Sequence, residues 1–274
     1  MLTGPIRAQV DQIRNAFWSG GVANPLSVIE QITYLLFIKR LDDLDMLEEN
    51  KARTLSRPME RRIFPEGNFR YKVSDDPEDT TVIDRPYDDL RWSRFKNFEA
   101  RTMFRIVDLY VFAFLRELGA KGSSYGRHMK DARLGFSNEN LLAKVVDLLD
   151  KIPMDDRDTK GDLYEYMLGK IASAGQNGQF RTPRHVIALM VNLMAPTPED
   201  VICDPAAGTC GFLVAAGEYL RDHHAALFRD DRLRKHFHTG LFHGFDFDAT
   251  MPRIGAMNMT LHGVEDADVS YRDS

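Results

Sequence analysis

The chain has almost no cysteine: Cys203 and Cys210 are the two among 274 residues. A disulfide framework is therefore excluded, and both read as small packing residues. Long apolar runs are missing as well. The longest, Ile32 to Ile38, falls far short of the roughly 18 residues that a membrane-spanning helix needs, and Lys39 and Arg40 follow it at once. The opening MLTGPIRAQVDQIRN has no apolar stretch behind a basic leader, so a reducing cytoplasm is the expected compartment. Positive charge is not in excess: 36 Lys and Arg against 41 Asp and Glu leave a net charge of -5. Overall basicity cannot hold nucleic acid to such a protein, and only a local basic face could do so. What remains is the composition of an ordinary globular protein, 43% hydrophobic and 28% charged, long enough for one large domain or two modest ones.

The first 170 or so residues read as mostly helical. Ile6, Val10, Ile13 and Phe17 recur at helical spacing until Ser19-Gly20-Gly21. Asn24-Pro25 restarts a helix as cap and first residue. Its buried stripe includes Ile29, Ile32, Leu36, Leu41, Leu44 and Leu47, with Asp42, Asp43 and Asp45 facing water. From Lys51 to Arg94 turn residues gather, and an irregular crossing with short elements at most is expected. Helical periodicity returns from Phe98 to Leu118, again from Leu141 to Ile152 with Ser137 as cap, and briefly from Leu163 to Ile171. After Ala172 the pattern changes. Thr182-Pro183 reads as cap and first residue of a helix to about Ala195. Val201-Ile202-Cys203 is a short strand ending in Asp204, followed by a small-residue turn and a helix from Phe212 to about Leu227. The order repeats with Leu241–Phe245 ending at Asp246, a helix from Ala249 to Leu261, and a third strand beginning at Asp268. Two such units imply a parallel sheet. The expected organisation is mixed: a helical domain over 1–165, then the start of an α/β domain over 166–274.

Between the first strand and its helix lies Asp204-Pro205-Ala206-Ala207-Gly208-Thr209-Cys210-Gly211-Phe212. Small residues let a ligand approach the backbone there, and the helix start offers free amides and the positive end of a dipole. A nucleotide-like ligand fits. No Gly-Lys-Ser/Thr follows, which argues against a phosphate-cradling P-loop, and Gly-x-Gly-x-x-Gly is not matched either. A nicotinamide site would also place an acid about 20 residues after the glycine turn, whereas Asp246 comes only after a helix and a polar insertion. Asp246, at a strand end, is placed to accept hydrogen bonds from two ribose hydroxyls. Gly178-Gln179-Phe180-Arg181-Thr182-Pro183 opens a further helix whose start could meet the same ligand; alone it would read as an ordinary helix cap.

Together the three segments resemble the modification (M) subunit of type I restriction-modification systems, in which a helical domain precedes an adenine-N6 DNA methyltransferase domain. GQFRTP at Gly178–Pro183 is similar to motif X of that family. DPAAGTCGF at Asp204–Phe212 is similar to motif I, Gly244-Phe245-Asp246 to motif II, and Arg272-Asp273-Ser274 to the start of motif III. The fold implied is a Rossmann-like S-adenosylmethionine-dependent methyltransferase domain. The resemblance implies S-adenosylmethionine as cofactor, held by Gly178, Gln179, Phe180, Arg181, Thr182, Pro183, Asp204, Pro205, Ala206, Gly208, Thr209, Cys210, Gly211, Asp246 and Asp273. The methionine end would lie near Phe180, Thr182, Asp204, Ala206 and Gly208, the ribose on Asp246, and the adenine amino group near Asp273. It implies a specificity subunit, a restriction subunit and double-stranded DNA as partners. Arg181 stands where the family often has an aromatic residue, and Cys210 where glycine is frequent. The catalytic Asn-Pro-Pro-aromatic motif, which holds the flipped adenine, is expected beyond Ser274. The segment alone is therefore expected to be inactive and its sheet truncated. A rival reading is a non-catalytic assembly module that keeps the cofactor loop as a relic.

His223, His224, His236 and His238 match no zinc spacing and read as solvated. Arg61, Arg62, Arg91, Arg94, Lys96, Arg101 and Arg105, interleaved with Trp92, Phe95 and Phe98, form a zone that is either a DNA-backbone face or a solvated surface.

Overall fold

The computed structural model describes residues 4–59, 62–72, 81–120, 128–152, 164, 166–169, 182–248 and 250–273. The chain divides into two compact units. One comprises Asp11–Leu118 and Met129–Ile152; the other comprises Met1–Val10, Gly119–His128 and Pro153–Ser274.

Helix α1 (Gly4–Ser19) and helix α2 (Pro25–Thr54) follow the sequence pattern closely. The Asn24 side chain accepts the Leu26 amide at 2.9 Å, and Pro25 needs no donor at the first position. In the first unit Ile13, Phe17, Ile29, Ile32 and Leu36 are buried as expected, whereas Leu47 is exposed. Asp42 and Asp45, expected in water, are buried too, at 2% and 1% exposure. The reason is Arg91, whose Nε donates to Asp42 Oδ1 at 2.6 Å and whose Nη1 donates to Glu49 at 2.7 Å. A cation from a distant segment makes these burials tolerable, and helical periodicity cannot reveal it.

The stretch expected to be irregular carries an antiparallel pair, β1 (Asn68–Lys72) with β2 (Val82–Pro86), then a 3-10 turn (Tyr87–Leu90) and a one-turn helix α3 (Trp92–Phe95). Helix α4 (Ala100–Arg105) continues through a π-helical stretch (Ile106–Val111) into α5 (Phe112–Ala120). Helix α6 (Glu139–Asp150) is capped by Asn138, not Ser137: the Asn138 side chain accepts the Leu141 amide at 3.0 Å. The basic zone is divided: Arg91 is largely buried and Lys96 half-buried, whereas Arg62 and Arg94 are exposed. Arg94 pairs with Asp88 at 2.6 Å, Lys96 with Asp150 at 2.8 Å and Arg62 with Glu66 at 2.5 Å, while Trp92 and Phe95 are buried. Arg101 and Arg105 stay exposed. Arg61 lies outside the described residues. Trp92 and Phe95 are thus core residues, while Arg62, Arg94, Arg101 and Arg105 form an exposed basic surface of which Arg62 and Arg94 carry acidic neighbours.

In the other unit Tyr164 and residues 166–169 are helical, within the short helix expected there. Helix α7 (Arg184–Met194) begins one residue later than expected, with Pro183 at the cap position and no side-chain cap bond, so Thr182 does not cap it. Strand β3 (Ile202–Asp204) leads to helix α8 (Gly211–His223), then to helix α9 (Asp231–Thr239) in the expected polar insertion. Asp230 caps α9, and only Leu233 and Phe237 bury its inner side. Strand β4 (Phe242–Asp246), helix α10 (Met251–Leu261) and strand β5 (Asp268–Tyr271) complete the described chain. The three strands form a parallel sheet in the order β3-β4-β5. Gly217 lies against Phe242 with 3.5 Å of room for a Cβ, and Leu213, Val214, Leu220, Phe237, Met259 and Val269 join the core. Strand β3 is an edge of this sheet, and a 630 Å³ groove is lined there by Met190, Met194, Val201, Ile202 and Phe212.

Candidate functional site: the turn after β3

The parallel order puts the carboxyl ends of β3 and β4 side by side, with Asp204 opposite Gly244 in register. Parallel sheets bind ligands at such ends. Asp204 closes β3 and its Oδ1 accepts the Ala206 amide at 3.1 Å, an Asx turn that starts the loop. The loop then docks on β4: the Ala207 amide donates to the Phe245 carbonyl at 2.8 Å, and the Gly208 amide to Asp246 Oδ2 at 2.8 Å. Asp246 Oδ1 meanwhile accepts the Asp248 amide at 2.8 Å. The chain turns through Gly208 at φ +51° and Cys210 at φ +61°, then enters α8 at Gly211. Cys210 is a non-glycine residue in the left-handed region, an uncommon state held here by complete burial of its side chain.

Thr182, Ile187, Asp204, Ala206, Ala207, Gly208, Thr209, Gly211, Phe212, Asp246 and Met251 line a cavity of about 260 Å³. Burial pushes the Asp204 carboxyl above its ordinary range, and the charge of Asp246 adds to this against the Ala206 hydrogen bond. Burial and the two nearby carboxylates push the Cys210 thiol far up, so it stays neutral and packs as an apolar group. The cavity thus offers two carboxylates and the amide end of a helix, a mixed lining suited to a ligand with both cationic and anionic ends.

Of the residues expected from sequence, Thr182, Asp204, Ala206, Gly208, Thr209, Gly211 and Asp246 meet at this cavity. Pro205 lines the neighbouring apolar groove instead, Cys210 is buried beneath the loop, and Pro183 caps α7. Asp273 is exposed and is not among the lining residues. Gly178, Gln179, Phe180 and Arg181 lie outside the described residues. The residue set expected from sequence missed Ile187, Ala207, Phe212 and Met251 in the lining, and behind the loop it missed Gly255 and Asn258. An asparagine in the apolar run GAMNMTL was the available signal for the last. The four histidines set aside from metal binding find separate backbone partners, as with His236 Nε2 at 2.9 Å from the Asp200 carbonyl and His224 Nε2 at 3.2 Å from that of Pro196.

The family profile described as N-6 DNA Methylase matches residues 155–274, which hold this sheet and loop. That described as the HsdM N-terminal domain matches residues 6–149. Residues 155–274 thus match an N-6 DNA methylase domain, which follows a helical region in the sequence. The chain belongs to the HsdM family, the methylase subunits of type I restriction enzymes. It is 33% identical over 172 residues to the EcoEI methylase subunit of Escherichia coli, covering 60% of this chain and 34% of that protein. It is 37% identical over 135 residues to the StySPI methylase subunit of Salmonella potsdam, covering 45% of this chain and 25% of that one. The chain thus spans about a third or less of the length of these curated relatives. Among solved structures, a modification subunit from Vibrio vulnificus shares the fold with a TM-score of 0.73 at 24% identity, over 100% of this chain and 56% of that one. A chain of a type I R-M system shares it with a TM-score of 0.68 at 20% identity, over 98% and 51%.

Proposed function

We propose that this chain is the cofactor-binding part of an M subunit that transfers a methyl group from S-adenosylmethionine to N6 of adenine in double-stranded DNA. The observation that carries the reading is Asp246 at the end of β4, holding the Gly208 amide across the mouth of the cavity beside Asp204. The residues fit the group. Each Asp246 oxygen accepts one backbone amide and keeps a lone pair, so two ribose hydroxyls can still be received. Asp204 would attract the cationic amino and sulfonium groups, while the first amides of α8 would take the carboxylate.

Bound S-adenosylmethionine supplies an electrophilic methyl group on a positively charged sulfur. This chain's own part is to bind and orient it: Thr182, Asp204, Ala206 and Gly208 toward the methionine end, and Asp246 toward the ribose. Gly178, Gln179, Phe180, Arg181, Pro183, Pro205, Thr209, Cys210 and Gly211 complete the proposed set, with Asp273 toward the adenine. The parallel strands are read as the start of a larger Rossmann-like sheet. The helical domain over 1–165 would meet the specificity subunit, the restriction subunit and DNA, and 166–274 would hold the cofactor, all in the cytoplasm. Base recognition would come from the specificity subunit.

Calorimetric titration with S-adenosylmethionine tests this, using the 274-residue chain and a version extended past Ser274, with NAD as control. Saturable S-adenosylmethionine binding by either, without NAD binding, is the expected result. Binding by neither would favour the assembly-module reading, and NAD binding would favour a dehydrogenase.

A further inference from the structure

One side of α10 stands directly behind the loop. A Cβ on Gly255 would lie 2.5 Å from Cys210 Sγ and 3.1 Å from the Gly208 carbonyl oxygen, so the missing side chain is what lets the loop sit on the helix. Three residues on, and so on the same side, Asn258 Nδ2 donates to the Thr209 carbonyl at 2.8 Å. The assignment of that amide is fixed by chemistry, because a carbonyl oxygen can only accept. Gly255 and Asn258 together therefore hold Gly208 and Cys210, the two residues in the left-handed region, and Thr209 between them.

Asn258 is fully buried, as are its chain neighbours Met257 and Met259. Its Oδ1 is buried without a hydrogen-bond partner among the described residues. A half-satisfied amide is a costly choice for this place, where leucine or methionine would pack without penalty. Packing gives no reason for it; the Thr209 carbonyl does. The main chain of Asn258 is held in turn, since His262 Nδ1 lies 2.8 Å from its backbone carbonyl oxygen.

We propose that Asn258 is a positioning residue for the cofactor site, presetting the turn after β3 through the Thr209 carbonyl before any ligand arrives. Its effect on affinity rests on the S-adenosylmethionine reading; its effect on the loop does not.

Hydrogen exchange on the free chain separates the two. The amides of Ala207, Gly208 and Cys210 report on the turn, since each donates within it or to β4. Asn258→Leu should speed their exchange by about tenfold at neutral pH, as expected when one local bond is lost, and Asn258→Asp should do the same once alkaline pH ionises the new carboxyl, whose pKa burial raises. The core amides of α8 and β4 should keep wild-type protection, which checks folding. Asn258→Asp adds a signature that mere destabilisation lacks. As a carboxylate it repels the Thr209 carbonyl, but as an acid it donates to it. Its loop protection, taken as a ratio to wild type at each pH, should therefore recover on acidification, while Asn258→Leu shows no recovery. Unchanged exchange in Asn258→Leu, or a pH-independent ratio in Asn258→Asp, overturns the proposal. Titration of Asn258→Leu should show S-adenosylmethionine bound about tenfold more weakly at neutral pH. Altered exchange in the variants, together with a wild-type chain that binds no S-adenosylmethionine, would leave the loop role standing and sink the cofactor reading alone.

Discussion

Asp246 Oδ2 and the Gly208 amide, 38 residues apart in sequence, meet at 2.8 Å and join the end of β4 to the turn after β3. One carboxylate thereby shapes the loop and faces the cavity at once. Replacing Asp246 with Ala should cost about 1.5 to 3 kcal/mol of S-adenosylmethionine affinity, the range for hydrogen bonds to a charged group, or roughly tenfold to a hundredfold in Kd. Asp246→Asn should not restore wild-type binding. Both oxygens already accept backbone amides, and an Asn amide turns an NH2 toward one of those donors. Calorimetry on folded variants decides; full affinity in either would remove Asp246 from the site.

Asp204 sets a pH dependence. Burial raises its pKa first, with the Asp246 charge adding to it. A bound cation favours the ionised carboxyl, so binding lowers that pKa and releases a proton. Affinity should be full above the raised value and decline as pH falls through it. The same titrations with S-adenosylhomocysteine, which lacks the sulfonium charge, should show a shallower decline. In the free protein the sign is opposite: the folded state holds the Asp204 proton more tightly than the unfolded chain. Its contribution to stability is therefore present at low pH and lost as pH rises through the raised value. Asp204→Asn should flatten both curves, and unchanged slopes would show that another group titrates.

Gly255 and Cys210 should be energetically coupled. Gly255→Ala places a methyl 2.5 Å from the buried sulfur, and such overpacking typically destabilises by about 1 to 3 kcal/mol. In a Cys210→Gly background the sulfur is gone and the left-handed φ of +61° suits the residue. The same Gly255→Ala change should then cost less by about 1 kcal/mol. Additive losses in urea unfolding of the four proteins would mean that the contact relaxes at no cost.

Local signals in the sequence were enough to bring seven of the expected residues to the lining of one cavity, because they cluster at strand ends and helix starts. The two β-α units, the Asn24-Pro25 start and Asp246 at its strand end all follow from hydrophobic period, caps and small-residue turns. Long-range pairing defeated the same reasoning elsewhere. The partner strands β1 and β2 come from separate segments without a two-residue turn between them. Helix α9 has just Leu233 and Phe237 buried in a charged stretch. Asn258 looks like any polar residue until the Thr209 carbonyl, 49 residues away, is beside it. Asp42 and Asp45 sit at positions that read as a solvated face until Arg91 arrives from the far side of the β1-β2 pair.

Arg91 gives the last prediction. It is 12% exposed beside Asp42 and Asp45, which are almost sealed from water. Asp42 is fully served, by Arg91 Nε at 2.6 Å and the Ser93 amide at 2.7 Å. Asp45 is less so: its Oδ1 accepts the Ile63 amide at 2.7 Å, while Oδ2 stands 4.0 Å from Arg91 Nη1. Burial accordingly pushes the Asp45 carboxyl up, against that amide and the Arg91 charge. Arg91→Met keeps much of the side-chain bulk but strands both carboxylates, and removing one partner of a buried pair costs about 3 to 5 kcal/mol. The helical unit should melt much earlier, and its loss of stability should shrink on acidification as Asp45, whose carboxyl burial already pushes up, takes up a proton. Arg91→Met with Asp42→Asn should recover part of the loss at neutral pH, because one stranded charge is gone. Thermal melts at neutral and mildly acidic pH measure all three. A single variant as stable as wild type would show that the cluster is solvated in solution and that Arg91 holds nothing in place.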